Sequence, residues 1–143
     1  MRQVRTLTYT RRMKRIAVLL LLMAFSGGVR SQDVAPEALL GTFEGPLVIG
    51  RVSMTLAFTF SMTGGELRAQ LFSAAMGIYG MPADSVSVSE NAVRIAIPRL
   101  DLEFTGRLRL DESGGQVQRI DGDWFQYSEM VPVILLPVDA PSF

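Results

Sequence analysis

The sequence predicts an all-β protein, a small antiparallel up-and-down barrel of about eight strands that follows an N-terminal signal-peptide helix. Apolar and polar residues alternate over 53–62 and over 101–110, so that one face of each segment is apolar. This period of two marks strands with one buried face, which pair antiparallel. Turn residues interrupt the apolar runs at short intervals, and short strands joined by hairpins are typical of barrels and sandwiches. Closure into a barrel leaves no open sheet edge, which favours the barrel.

Glycine and polar clusters divide the chain into eight predicted strands. They run over residues 41–49, 52–61, 66–73, 85–89, 92–97, 101–110, 116–125 and 130–137. The apolar, glycine-rich segment 74–84 is predicted as a loop that is either a lid over one barrel end or a surface that packs on a partner. Its apolar side chains are the candidates for contact with a ligand or partner: Met76, Ile78, Tyr79 and Met81.

The first 31 residues have the charged, apolar and small-residue order of a secretory signal peptide. Residues 1–15 include six basic residues and no acidic one, and the ten-residue apolar run that follows is too short for a spanning helix. No cysteine is present to carry a lipid anchor, so we expect export to the periplasm or beyond without a stable membrane anchor. The predicted organisation is a signal peptide (1–31), a linker (32–40), the barrel domain (41–138) and a tail (139–143).

Composition excludes several classes of function. Residues 32–143 contain seven basic and fourteen acidic residues, a formal net charge of −7, which argues against nucleic-acid binding because that requires clustered Lys and Arg. The chain has no cysteine and no histidine. Disulfides, zinc sites built from Cys and His, and any triad that needs a histidine are therefore excluded within it. We expect no cofactor, no metal and no catalytic residue.

The inward side chains of the predicted barrel are bulky. An eight-stranded barrel is either filled by its side chains or holds one small ligand, and this bulk favours the filled interior. Glycines inside strands suit barrel corners or close packing beneath a large ring. The predicted core and structural residues are Phe43, Gly45, Phe58, Phe104, Gly106, Gly122 and Trp124.

The pair Asp121 and Asp123 raises the question of a catalytic carboxylate couple. Residues two apart in a strand share a face, and Trp124 belongs to the opposite one. If the indole is in the core, both carboxylates are in water, where they keep ordinary pKa values and make poor general acids. We therefore interpret them as the polar face of a strand.

Glycines and aromatic residues recur in the segments GTFEGPLVI (41–49), GMPADSV (80–86), EFTGRLRL (103–110) and IDGDWFQ (120–126). Their order and spacing resemble the small β-barrel domain that precedes the catalytic domain in secreted bacterial α/β-hydrolases and some serine hydrolases. Phe43 stands where that domain has tryptophan, and Met81 where it has isoleucine. The match covers essentially all of 41–137. The matching positions are Gly41, Gly45, Leu47, Gly80, Pro82, Asp84, Ser85, Val86, Gly106, Ile120, Gly122, Trp124, Gln126, Pro132 and Leu135.

The resemblance implies a fold and an accessory role without an activity, because no G-x-S-x-G nucleophile elbow is present. Three functions remain open. The first is an exported, non-catalytic accessory or interaction domain, whose partner would be a hydrolase domain or another exported protein. The second is a lipocalin-like carrier of a small apolar ligand, and the third is the front fragment of a split or truncated secreted hydrolase. A filled interior favours the first over the second.

Overall fold

The computed structural model describes residues 33–143, and these residues form one antiparallel sheet of nine strands. The strands are β1 (Gly41–Ile49), β2 (Val52–Thr63), β3 (Glu66–Ser73), β4 (Ile78–Pro82), β5 (Ser85–Ser89), β6 (Ala92–Ile97), β7 (Leu102–Leu110), β8 (Val117–Gln126) and β9 (Glu129–Val138). Three 3₁₀ turns accompany them, at Pro36–Leu39, Ala74–Met76 and Pro98–Leu100. The predicted signal peptide and its cleavage site lie outside the described residues. No helix within 33–143 has the length and apolar character needed to cross a membrane.

The predicted all-β, up-and-down architecture is confirmed. Strands that follow each other in sequence are neighbours, and β1 pairs with β9, which gives the order β4-β3-β2-β1-β9-β8-β7-β6-β5. Every pairing is antiparallel. Within the strands, alternate side chains are buried, as the period of two in the sequence requires.

Strands β4 and β5 lie at opposite ends of this order, although only Ala83 and Asp84 separate them in the chain. The Ala83 amide donates to the Ala69 carbonyl of β3 (2.9 Å), and the Asp84 amide donates to the Ala96 carbonyl of β6 (3.0 Å). Because β4 and β5 also run in the same direction, they act as two halves of one bent strand. The sheet therefore curls so that its two edge strands, β4 and β5, meet at Ala83–Asp84.

The segment 74–84 is not the loop that the sequence predicts. After the 3₁₀ turn, Gly77 adopts a left-handed conformation (φ 67°) and reverses the chain. Residues 78–82 then pair with β3 across a bulge between Leu71 and Phe72. Bulges break the regular alternation, which is why the sequence pattern misses this strand.

Residues 33–40, predicted as a linker, pack as part of the folded unit. The Val34 amide donates to the Glu90 carbonyl in the β5–β6 turn (2.7 Å). Val34, Ala38 and Leu39 are buried in the same cluster as the strand residues, and Leu39 is completely inaccessible. This segment therefore covers the end of the curled sheet at which β1 begins.

Packed side chains fill the interior. Phe43, Phe58, Phe104 and Trp124 are all at most 3% exposed. The Phe58 and Phe104 ring centroids lie 5.2 Å apart, and Phe43 meets Phe60 edge to face at 5.9 Å, arrangements that aromatic pairs favour.

At the three predicted structural glycines, the missing side chain leaves room for a neighbouring backbone or aromatic ring. Gly106 and Gly122 are register partners, and a Cβ at either would contact the Phe104 ring; at Gly122 it would overlap the ring. A Cβ at Gly45 would overlap the Ile134 carbonyl. Gly45 thus permits the tight contact of β1 with β9.

Candidate binding site

The outer face that carries Asp121 and Asp123 is an ion-pair surface. Arg109 Nε donates to Asp121 Oδ2 at 2.8 Å, and Arg119 Nε donates to the other carboxylate oxygen. Hydrogen bonds from Arg109 and then Arg119 hold the pKa of Asp121 below its ordinary value. The expectation of an ordinary pKa was therefore wrong for Asp121, because Arg109 of the neighbouring strand and Arg119 of its own strand both reach it. An ionised carboxylate held in this way cannot serve as a general acid.

Asp123 is exposed, and Trp124 beside it is 1% exposed. The alternation predicted for this strand is thus observed. Residues 33–143 contain no group of three Asp or Glu side chains that could hold a metal ion.

The four candidate contact residues of segment 74–84 differ in exposure, although Ile78, Tyr79 and Met81 line one open surface hollow of about 420 Å³. Ile78 is buried, and Met76 and Met81 are partly buried against the core. Only Tyr79 is exposed, at 67%. Met76, Ile78 and Met81 thus pack against the core, and a contact of this segment with a ligand or partner stays a prediction.

An apolar surface lies instead on three adjacent strands, β1, β9 and β8. Its large side chains point outward and are at least 41% exposed; Phe125 of β8 lies opposite Met130 of β9. We call this surface the apolar wall. It consists of Val48, Phe125, Met130, Pro132, Ile134 and Leu136. Exposed apolar groups that are contiguous on one face mark interaction sites, whereas scattered ones do not.

Carboxylates border the apolar wall. Glu44 lies opposite Leu136, and Asp123 lies opposite Pro132. Glu129 begins β9, and neither β1 nor β9 contains a basic residue. On the β8 side, Asp121 lies opposite Ile134 and pairs with Arg109 and Arg119, so the border of the wall contains both carboxylates and arginines.

A hollow of about 190 Å³ opens beside the wall, at the end of the sheet where β8 turns into β9. We call it the mouth pocket. Its lining residues are Ile49, Trp124, Gln126, Tyr127, Glu129 and Val131.

Two hydrogen bonds hold the inner part of the mouth pocket in place. The Trp124 indole N–H donates to Gln126 Oε1 (3.3 Å), and Gln126 Nε2 donates to the Leu100 carbonyl (2.9 Å). Gln126 thus links β8 to the 3₁₀ turn Pro98–Leu100. Trp124 contributes only an edge, because it is almost completely buried.

Sequence reasoning missed both the apolar wall and the mouth pocket. The run MVPVILLP (130–137) reads as a buried strand, because apolar residues occupy both of its faces. The apolar residues on both faces of this strand were the signal that could have revealed the wall. The outer face of the sheet is in contact with solvent, so no other element covers the second apolar face.

Comparison with known proteins identifies no relative: no family model, no curated protein and no solved structure matches this chain. The function therefore has to be inferred from the surfaces described above.

Proposed function

We propose that this chain is an exported, non-catalytic interaction domain that binds a partner protein through the apolar wall. The observation that carries the proposal is the contrast between the two sides of β9. Val133 and Leu135 fill the interior at no more than 2% exposure, while Ile134 and Leu136 between and beside them are about half exposed. Large apolar side chains left in water on three adjacent strands favour a surface that a partner covers.

The filled interior supports an interaction domain over a lipocalin-like carrier. Pockets for small molecules usually enclose about 300 Å³ or more, whereas the mouth pocket has about 190 Å³. Two wider hollows, of about 370 and 420 Å³, are open depressions of the outer surface. Neither has the enclosed form of a carrier's cavity.

Two features of the sequence support the choice of partner. The leader-like segment 1–31 favours an exported protein, and the glycine and aromatic spacing resembles the barrel domain that accompanies secreted hydrolases. A hydrolase domain, separate from this chain or formerly joined to it, is therefore the partner class that we propose first, with other exported proteins next.

The proposal is tested by capture followed by reconstitution. Proteins retained from the exported fraction by the immobilised chain are identified, purified and titrated against it. We expect a partner that binds the Ile134→Thr/Leu136→Thr variant more weakly. The two threonines remove apolar area from the wall, and threonine is a residue that strands favour.

Tyr79→Thr is the matched control, because Tyr79 is as exposed as the wall residues but lies on β4, three strands away from β1. Equal binding by wild type and the wall variant would contradict the proposal. Native mass spectrometry that finds a co-purified apolar molecule in the chain would favour the carrier instead.

A further inference from the structure

The β8–β9 turn is built from residues that do not favour its backbone. Tyr127 and Ser128 both have positive φ, 50° and 64°, and they join the register partners Gln126 and Glu129. A two-residue hairpin with both central φ values positive is a type I′ turn, for which Asn-Gly is preferred. A tyrosine in this conformation is unusual, and such strain clusters where a site requires it.

Packing does not explain the tyrosine. Its side chain is 70% exposed, so it contributes little to the core, yet it forms one side of the mouth pocket. The tyrosine thus lies where its ring can contact a ligand in the pocket.

The mouth pocket combines apolar sides with one negative charge. Ile49 and Val131 supply partly buried aliphatic surface, and Glu129 lies at the rim. Within residues 33–143, Glu129 forms no ion pair with any arginine. This combination suits a cation on an apolar stem, since an aromatic face and a carboxylate both attract positive charge.

The mouth pocket and the apolar wall lie on opposite faces of the same hairpin, close to its turn. The pair Phe125 and Met130 of the wall is adjacent in the ladder to the pair Gln126 and Glu129 of the pocket. Because successive side chains in a strand point to opposite faces, a partner that covers the wall reaches the pocket by folding over the β8–β9 turn.

We propose that the mouth pocket receives one arginine side chain from the protein that covers the apolar wall. This inference rests on the proposed function, because the arginine would belong to the partner protein that binds the apolar wall. A guanidinium stacks on aromatic rings and pairs with a carboxylate through two parallel hydrogen bonds, which an ammonium cannot do. The volume of about 190 Å³ fits one side chain rather than a larger ligand, and arginine is enriched among the residues that dominate interface affinity.

The chain's single tryptophan makes this site directly observable. The full chain is titrated with n-butylguanidinium while Trp124 fluorescence and its indole N–H resonance are recorded. We expect a saturable response with a dissociation constant in the millimolar range, as befits so small a ligand. n-Butanol and butyrate, which share the stem without the positive charge, should bind at least about tenfold more weakly.

Glu129→Gln should weaken n-butylguanidinium about tenfold. Glu112→Gln is the matched control, since Glu112 is exposed in the β7–β8 turn at the other end of the sheet and its loss changes the net charge equally. Unchanged affinity in Glu129→Gln, equal binding of n-butanol, or no response in either signal would overturn the arginine site. If a partner binds through the apolar wall but n-butylguanidinium gives no response, only the arginine site is refuted. If n-butylguanidinium binds as expected but no partner depends on the wall, only the proposed function is refuted.

Discussion

The ring of Phe104 occupies the space that a side chain at Gly122 would need. The two residues lie on neighbouring strands, β7 and β8, and a Cβ at position 122 would overlap the ring. The absence of a side chain at Gly122 therefore lets the ring of Phe104 pack closely against β8, which explains why a glycine interrupts an otherwise regular strand.

Gly122→Ala should destabilise the fold by about 1–3 kcal/mol, the range expected for overpacking a filled core. Urea denaturation followed by circular dichroism measures the change. Gly115→Ala is the control, because a Cβ there meets only Ser113 Oγ at an ordinary 3.4 Å, and its stability should be close to that of wild type. Equal stability of both variants would show that Phe104 moves aside without cost.

Trp124→Ala should cost about 3–5 kcal/mol, the usual range for emptying a large buried aromatic site. For a domain of this size, such a loss lowers the Tm by more than about 10 °C. Thermal melting is followed by circular dichroism, since the variant has no tryptophan fluorescence. Phe125→Ala removes the neighbouring ring, which is 41% exposed on the outer face, and should have a much smaller effect. A wild-type Tm for Trp124→Ala would contradict the described core.

Replacing Tyr127-Ser128 by Asn-Gly should stabilise the chain while impairing the mouth pocket. The new residues favour the positive φ values of this turn, and relief of such strain is worth about 1 kcal/mol or more. We expect a higher Tm together with weaker n-butylguanidinium binding. A lower Tm would mean that the tyrosine contributes to folding, and its position would then need no functional explanation.

Asp121 should make the fold sensitive to acid. Its pKa is lowered in the folded chain by hydrogen bonds from Arg109 and Arg119, so the folded state binds its proton less readily than the unfolded state does. The resulting stabilisation is present above the unfolded value, 3.8, and is lost as pH falls through the lowered pKa.

Asp121→Asn should therefore be less stable than wild type at neutral pH, with a difference that shrinks as pH falls below about 4. Urea midpoints measured across this range give the difference. Asp123→Asn is the control on the same face, since Asp123 forms no ion pair among the described residues. A constant difference between wild type and Asp121→Asn at every pH would exclude the ion-pair explanation.

Much of the fold could be predicted because one face of most strands is buried and the other is wet. The predicted limits of β1, β3, β5 and β6 agree with the structure at both ends. The same reasoning identified Trp124 as inward and Asp123 as outward. It failed at β4, where a bulge removes the alternation, and at residues 33–40, whose burial depends on the curled sheet that they cover.

The amino-acid sequence by itself determined eight of the nine strands, the direction of most of their side chains and the absence of any Cys or His chemistry, because these depend only on residue type and local spacing. The tertiary structure decided which residues of different strands contact each other. The ion pair of Asp121 with Arg109, closure at Ala83–Asp84 and assembly of the mouth pocket from β1, β8 and β9 all depend on register between different strands. Register is set by the packing of the whole sheet, and no short stretch of sequence contains it.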